Sequence, residues 1–315
     1  MFIIKNGVLL RFEKSGVSPG IVALPEGIEI IGKWALSGFS CGILCMPSTL
    51  KHIDKSAFSG ANVKEIRFGS CKLETIERMA FTGCGARTVI PDTVRKIGAF
   101  SLGNLEIGSN KTIRLPSALR FLGYSALNIG AIDHLVVDER LVTDETNLEI
   151  SILSSLQNDQ LIMIHVFRGE EEIYSFIMCR GRDIDKNRER RFWARPIIGS
   201  HGLDFWEYDY SFDKLESIMF KVVMAANRVV WPIELRDSDK ERYTSYAKDH
   251  YQELMGGKEE NIEAIRAYGE LDLISLYHLK ALFRLAQEKK NVELTAYLLD
   301  LINRKFGSKG KSLKL

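Results

Sequence analysis

The sequence predicts an α+β chain: a β-rich solenoid of about five short rungs, a small β region capping it, and an all-α helical-hairpin array. Three observations carry this. The phrase "IDKSAFSG" at 53–60 returns as "IERMAFTG" at 76–83, and its relatives recur every 21–25 residues. After residue 135 the phrase disappears and isoleucine-rich runs separated by polar turns take its place. From about residue 207 the apolar period becomes helical.

The chain opens with "FIIKNGVLL", in which Asn6-Gly7 separates two apolar runs. Both residues tolerate positive φ, so a two-residue hairpin is expected there, standing in front of the repeats as a cap. Lys5 interrupts the apolar run before it reaches the length of a secretory core segment, and no apolar stretch approaches the roughly 18–20 residues of a membrane helix. A cytoplasmic protein without membrane association is the expectation.

Aligned on their first apolar residue, the phrases are "IGKWAL" at 31–36, "IDKSAF" at 53–58, "IERMAF" at 76–81, "IGAFSL" at 97–102 and "LGYSAL" at 122–127, at steps of 22, 23, 21 and 25 residues. A second landmark keeps step with them. Leu24-Pro25, Met46-Pro47, Ile90-Pro91 and Leu115-Pro116 each place proline six residues ahead of a phrase, while the third copy has Phe68-Gly69 one residue farther off. Self-similarity at this period means stacked short units, none of which can bury its apolar side alone. One strand per unit is expected ahead of each proline, with Val22/Leu24, Leu44/Met46, Ile66/Phe68 and Ile113/Leu115 pointing inward. The alanine then allows close approach at a corner, and the large residue after it fills the interior.

"VKEIRFGSCKLETIERMAF" at 63–81 and "TIRLPSALRFLGYSAL" at 112–127 resemble the BspA-type leucine-rich repeat, whose unit reads approximately L-x-x-I-x-L-P-x-x-L-x-x-I-x-x-x-A-F. The resemblance covers about residues 21–135. It implies a solenoid that acts as a binding scaffold, and such scaffolds serve many ligands.

Outward strand positions then form a ladder: Ile21 and Ala23, Ile43 and Cys45, Glu65 and Arg67, Arg87 and Val89, Thr112 and Arg114. The plain reading is a solvated sheet. The sharper one is a recognition face, apolar at one end and arginine-rich at the other, because solenoids usually bind on their concave sheet. On that reading Ile43, Glu65, Arg67, Arg87 and Arg114 bind a protein partner, the arginines contributing most.

Beyond the repeats, "NLEISIL" at 147–153, "QLIMIHVF" at 160–167 and "EIYSFIMC" at 172–179 read as short strands. The organisation expected is a solenoid over 1–135, a small β region with a basic loop over 136–206, a helical domain over 207–307 and a basic tail over 308–315. A helix is expected over 211–230, stopped at Trp231-Pro232. A second opens with the capping box Ser238-x-x-Glu241 and ends at Gly256-Gly257. A third, shorter helix lies within 259–272 and ends near Gly269, and a final pair breaks near Asn291 and closes at Gly307. "GLDFWEYDYSFDKL" at 202–215 and "NVELTAYLLDLINRKFG" at 291–307 resemble the tail that accompanies such repeats in some uncharacterised intracellular bacterial proteins, a likeness over about 140–307 that brings no activity with it.

Three groups of residues could carry chemistry. The first is "RGRDIDKNRERRFWAR" at 180–195, which holds seven basic and three acidic residues with Phe192 and Trp193 interleaved. Arginines beside aromatic rings are what single strands of nucleic acid bind, by phosphate neutralisation and stacking, so Arg188, Arg190, Arg191 and Trp193 are candidate contacts for a nucleic-acid adaptor. The plainer reading is a solvated loop. Second, Asp183-x-Asp185-Lys186 faintly matches a metal-dependent nuclease but lacks a supporting glutamate. Third, Asp204, Glu207 and Asp209 cluster, though acids commonly enrich a helix N-terminus.

The cysteines, Cys41, Cys45, Cys71, Cys84 and Cys179, are odd in number and irregularly spaced, so free core thiols are expected rather than disulfides or zinc. Six histidines stand singly. No phosphate loop, H-E-x-x-H or G-x-S-x-G appears, so no enzyme and no cofactor is expected. The net charge of +2 leaves both protein and nucleic-acid partners open, and nothing in the pattern sets the oligomeric state.

Overall fold

A computed structural model describes residues 2–13, 19–108, 111–142, 146–156, 160–182, 191–194, 196–199, 202–250, 253, 265 and 275–307. The strands β1 (Phe2–Lys5) and β2 (Val8–Phe12) form the expected antiparallel hairpin, with Asn6 and Gly7 at φ 50° and 75°. That is the turn Asn-Gly favours, since both positions need positive φ.

Each rung contributes two strands rather than one. The strands ahead of the prolines, or of Phe68-Gly69 in the third copy, are β3 (Ile21–Ala23), β5 (Ser40–Cys45), β7 (Asn62–Arg67) and β9 (Arg87–Thr88). At the phrase itself lie the two-residue strands β4 (Ile30–Ile31), β6 (His52–Ile53), β8 (Thr75–Ile76), β10 (Lys96–Ile97) and β13 (Phe121–Leu122). Two residues are too short for a period-two pattern, which is why the sequence shows only the first set. The phrase strands stack in parallel register Ile31–Ile53–Ile76–Ile97–Leu122, and the hairpin's β2 pairs onto β4 at Val8–Ile30. All five of these apolar side chains are fully buried.

The large residue of each phrase forms the interior column: Leu36, Phe58, Phe81, Leu102 and Leu127 are all buried, and the Phe58 and Phe81 rings stack at 4.6 Å. Corner backbones are tied rung to rung. Phe58 N–H donates to Ala80 O at 2.8 Å, Phe81 N–H to Ser101 O at 3.1 Å and Leu102 N–H to Ala126 O at 2.9 Å.

The fifth rung departs from this regularity, where the step lengthens. Its strand divides into β11 (Glu106–Ile107), which pairs back onto β9, and β12 (Thr112–Arg114), which pairs forward onto β14 (His134–Asp138). β14 opens a sixth turn, and β15 (Gln160–Arg168) pairs beside it in parallel.

Residues 147–153 are a helix and not a strand. The helix α1 (Leu148–Ser155) buries Leu148, Ser151 and Ile152 and leaves Ile150 exposed, so packing against the solenoid end overrides the β preference of isoleucine. It also closes the solenoid. Ser56, Met79 and Phe100 each donate their N–H to a corner carbonyl of the next rung; Ser125 has no next rung, and Ser154 Oγ accepts its N–H at 2.8 Å.

The chain divides into two compact units: residues 1–174 with 197–204, and residues 175–196 with 205–315. β15 turns through Gly169 (φ 65°) into β16 (Glu171–Arg182), within which the division falls. In the second unit, β17 (Arg191–Ala194) pairs with β16. The single helix expected over 211–230 is α2 (Trp206–Ser211), a 3-10 turn at Phe212–Lys214 and α3 (Ile218–Val230). Ser217 restarts the helix by accepting Phe220 N–H, as an N-cap does. α4 (Asp237–His250) begins ahead of Ser238, which therefore lies inside its first turn and not at the N-cap. The end at Gly256-Gly257 and the helix expected over 259–272 fall outside the described residues, Ile265 excepted. α5 (Leu276–Glu288) and α6 (Val292–Phe306) form the final pair, the latter capped by Asn291 and closed at Gly307.

Candidate functional site

Parallel register brings Ile21, Ile43, Glu65, Arg87 and Glu106 into one outward row across β3, β5, β7, β9 and β11. Beside it runs Ala23, Cys45 and Arg67. Ile21 is 67% exposed, so the face carries uncovered apolar area at its first strand. Arg67 Nε donates to Glu65 Oε1 at 2.6 Å, and this bond, with the Arg87 charge nearby, holds the Glu65 carboxyl below its usual range. Arg67 is thus partly spent inside the sheet. Arg87, exposed between Glu65 and Glu106 in the row, forms no salt bridge among the described residues.

Arg114 does not join this row. Because the fifth strand divides, it stands on β12, next to Val136 of β14, and its guanidinium lies 5.0 Å from the Phe167 ring centre, a cation–π contact. Ile43, Glu65, Arg67 and Arg87 are therefore brought together and Arg114 is set apart. A cavity of about 300 Å³ opens at the division, lined by Leu105, Glu106, Ile107, Lys111, Ile113 and Ile132 among others.

The first unit also assembles a group that sequence spacing concealed. His134 Nδ1 lies 2.9 Å from His165 Nε2, and His165 Nδ1 lies 2.7 Å from Glu172 Oε1. When the carboxylate accepts from His165 Nδ1–H, a neutral His165 can only accept from His134, so the three form a directional chain. The two histidines are 31 residues apart and meet through the β14–β15 pairing, which no local pattern reports. Among the described residues, no group of three or more histidine, cysteine or carboxylate side chains is arranged to hold a metal ion.

In the basic run, Asp183, Asp185, Lys186, Arg188 and Arg190 lie outside the described residues. Arg191 and Trp193 stand on β17, opposite Arg182 and Arg180 of β16, so this end of the expected loop is a strand. Glu207 and Asp209 lie in the first turn of α2, as the helix-terminus reading expects, and Asp209 is in addition buried and paired. Arg228 Nε and Nη2 reach its two oxygens at 2.8 and 2.9 Å, and Tyr243 Oη donates to it at 2.8 Å.

All five cysteines are unlinked. Burial pushes the Cys41 thiol up to about 11 and also raises Cys71 and Cys84, which keeps them as unreactive thiols. Of the four solenoid cysteines only Cys45 is partly exposed. In the native protein, Ellman's reagent should modify Cys45 first and the other three only on unfolding. Stoichiometric zinc in the purified protein would refute that assignment.

Residues 17–129 and 74–148 match the family model of the BspA type leucine rich repeat region, in 6 copies. Over these residues the solenoid is similar to the BspA-type leucine-rich repeat. The match runs past the fifth phrase to residue 148, through β14 and up to the start of α1. Leucine-rich repeats commonly mediate protein–protein interaction. No curated protein matches the chain. No helix among the described residues is long and apolar enough to cross a membrane.

Proposed function

We propose that the chain is a non-catalytic scaffold that holds a protein partner on the outward face of β3, β5, β7, β9 and β11. The observation that carries this reading is Arg87: exposed, without a salt bridge among the described residues, and set in a row with exposed Ile21 and half-buried Ile43. An arginine fork beside apolar area is the composition of an interface hot spot, where its stem packs and its head pairs with a carboxylate. Arg67 contributes less, since a partner must first displace Glu65.

The test starts from a partner captured in the native host and identified by mass spectrometry, then titrated against purified protein. Arg87→Ala should weaken binding by more than about 1 kcal/mol, roughly fivefold, with Arg67→Ala costing less. Unchanged affinity in Arg87→Ala would remove the strand face from consideration. If changing Arg188, Arg190, Arg191 and Trp193 to alanine abolished binding instead, with a steep salt dependence, the nucleic-acid reading would replace this one.

A further inference from the structure

A second surface runs along one corner of the solenoid. The fourth residue of every phrase adopts a left-handed backbone: Trp34, Ser56, Met79, Phe100 and Ser125, at φ 60°, 55°, 59°, 56° and 47°. Glycine would relieve each position, yet none of the five is glycine, and three carry bulky apolar side chains. Those side chains are left uncovered. Trp34 is 51% exposed, Met79 37% and Phe100 41%, and Tyr124, 52% exposed, tilts against Phe100 at 5.5 Å.

Beside them, the third residues of the first three phrases are Lys33, Lys55 and Arg78, all exposed and in no salt bridge among the described residues. The acids of the neighbouring phrase position are engaged: Asp54 accepts Lys55 N–H at 2.7 Å, and Glu77 pairs with Lys96 at 2.8 Å. Rung-to-rung bonds hold the corner in register, Ser56 N–H to Arg78 O at 3.2 Å, Met79 N–H to Ala99 O at 2.9 Å and Phe100 N–H to Tyr124 O at 3.1 Å. Successive corners therefore repeat at about the 4.8 Å spacing of paired strands.

We infer that this corner binds an amphipathic helix with an acidic face, presented by a partner protein. Three unpaired cations on consecutive rungs call for anions at the same repeat. A helix supplies them, because its turn of about 5.4 Å nearly matches the rung spacing over three rungs. An extended strand places like-facing side chains about 6.7 Å apart and loses register sooner. Apolar residues on the adjacent helix positions then cover Trp34, Met79 and the Phe100–Tyr124 pair. Four rung steps span about 19 Å, or about 13 residues of helix. This site is separate from the strand face bearing Arg87.

The experiment measures fluorescence anisotropy of full-length protein with a labelled helical peptide of about 14 residues, carrying glutamates at i, i+4 and i+7 beside leucines. The comparison probes are the same peptide with lysines in place of glutamates and a labelled oligothymidine. We expect the acidic peptide to bind and the lysine peptide not to. Lys33→Glu/Lys55→Glu/Arg78→Glu should weaken binding by about tenfold or more. Trp34→Gly/Met79→Gly should also weaken it, while holding or raising the melting temperature, since glycine accepts the left-handed backbone freely. A general loss of fold would lower both together. Arg87→Ala should leave the peptide's affinity unchanged. Equal binding of the two peptides, wild-type affinity in the charge-reversed variant, or tighter binding of oligothymidine lost in that variant would overturn the inference.

Discussion

Replacing Asp209 by alanine is expected to destabilise the second unit by about 3–5 kcal/mol, the range for breaking a buried ion pair by removing one member. Arg228 is fully buried and its guanidinium lies 4.2 Å from the Phe205 ring centre. Its remaining partners are the carbonyls of Trp231 and Ile233, at 3.0 and 2.9 Å. Those neutral acceptors cannot offset a charge stranded away from water. Tyr243 Oη loses its acceptor in the same step, and the fully buried hydroxyl has no water to donate to instead. Urea unfolding of the full chain, followed by circular dichroism at the helical signal, measures the loss. The double change Asp209→Leu/Arg228→Met should recover much of it, because an apolar pair of similar volume strands no charge. A loss below about 1 kcal/mol in Asp209→Ala would mean that the pair is solvated and the core is organised otherwise.

Phe81→Ala should cost the solenoid about 3–5 kcal/mol, the usual range for emptying a buried aromatic site. The ring is fully buried at the third rung and stacks on Phe58 with planes 20° apart, so its removal strips contacts from the rungs on either side. In a stacked array, stability is close to a sum of rung and interface terms, and the middle of the stack has two interfaces to lose. Phe81→Leu matches the residue that the first, fourth and fifth phrases use at this position and should cost distinctly less. A Phe81→Ala variant that melts within a few degrees of the wild type would show that the column can collapse around the gap.

The repeat region was readable because everything in it is local. Phrase, proline and interior phenylalanine recur within one rung, and stacking copies at a fixed step places Phe58 on Phe81 without further information. The Asn6-Gly7 hairpin, the strand ends at the prolines and the helix break near Asn291 are local in the same sense: each rests on the conformational preference of one or two residues. The outward row from Ile21 to Arg87 follows from register and period-two alternation alone.

What the tertiary structure decided lies where distant segments choose between partners. The fifth rung carries a strand-like sequence throughout, but one half hydrogen-bonds backward and the other forward, and that choice moved Arg114 from the row to the Phe167 ring. Residues 147–153 have the isoleucines of a strand, yet they are a helix because the last rung offers Ser125 N–H and an apolar end to be covered. Asp209 and Arg228 sit 19 residues apart with nothing in either local sequence to join them; burial makes each the other's counter-charge among the described residues. Short-range periodicity specifies repeated geometry, whereas the ends of a stack and the centre of a core are set by which long-range contact leaves the fewest polar groups unsatisfied.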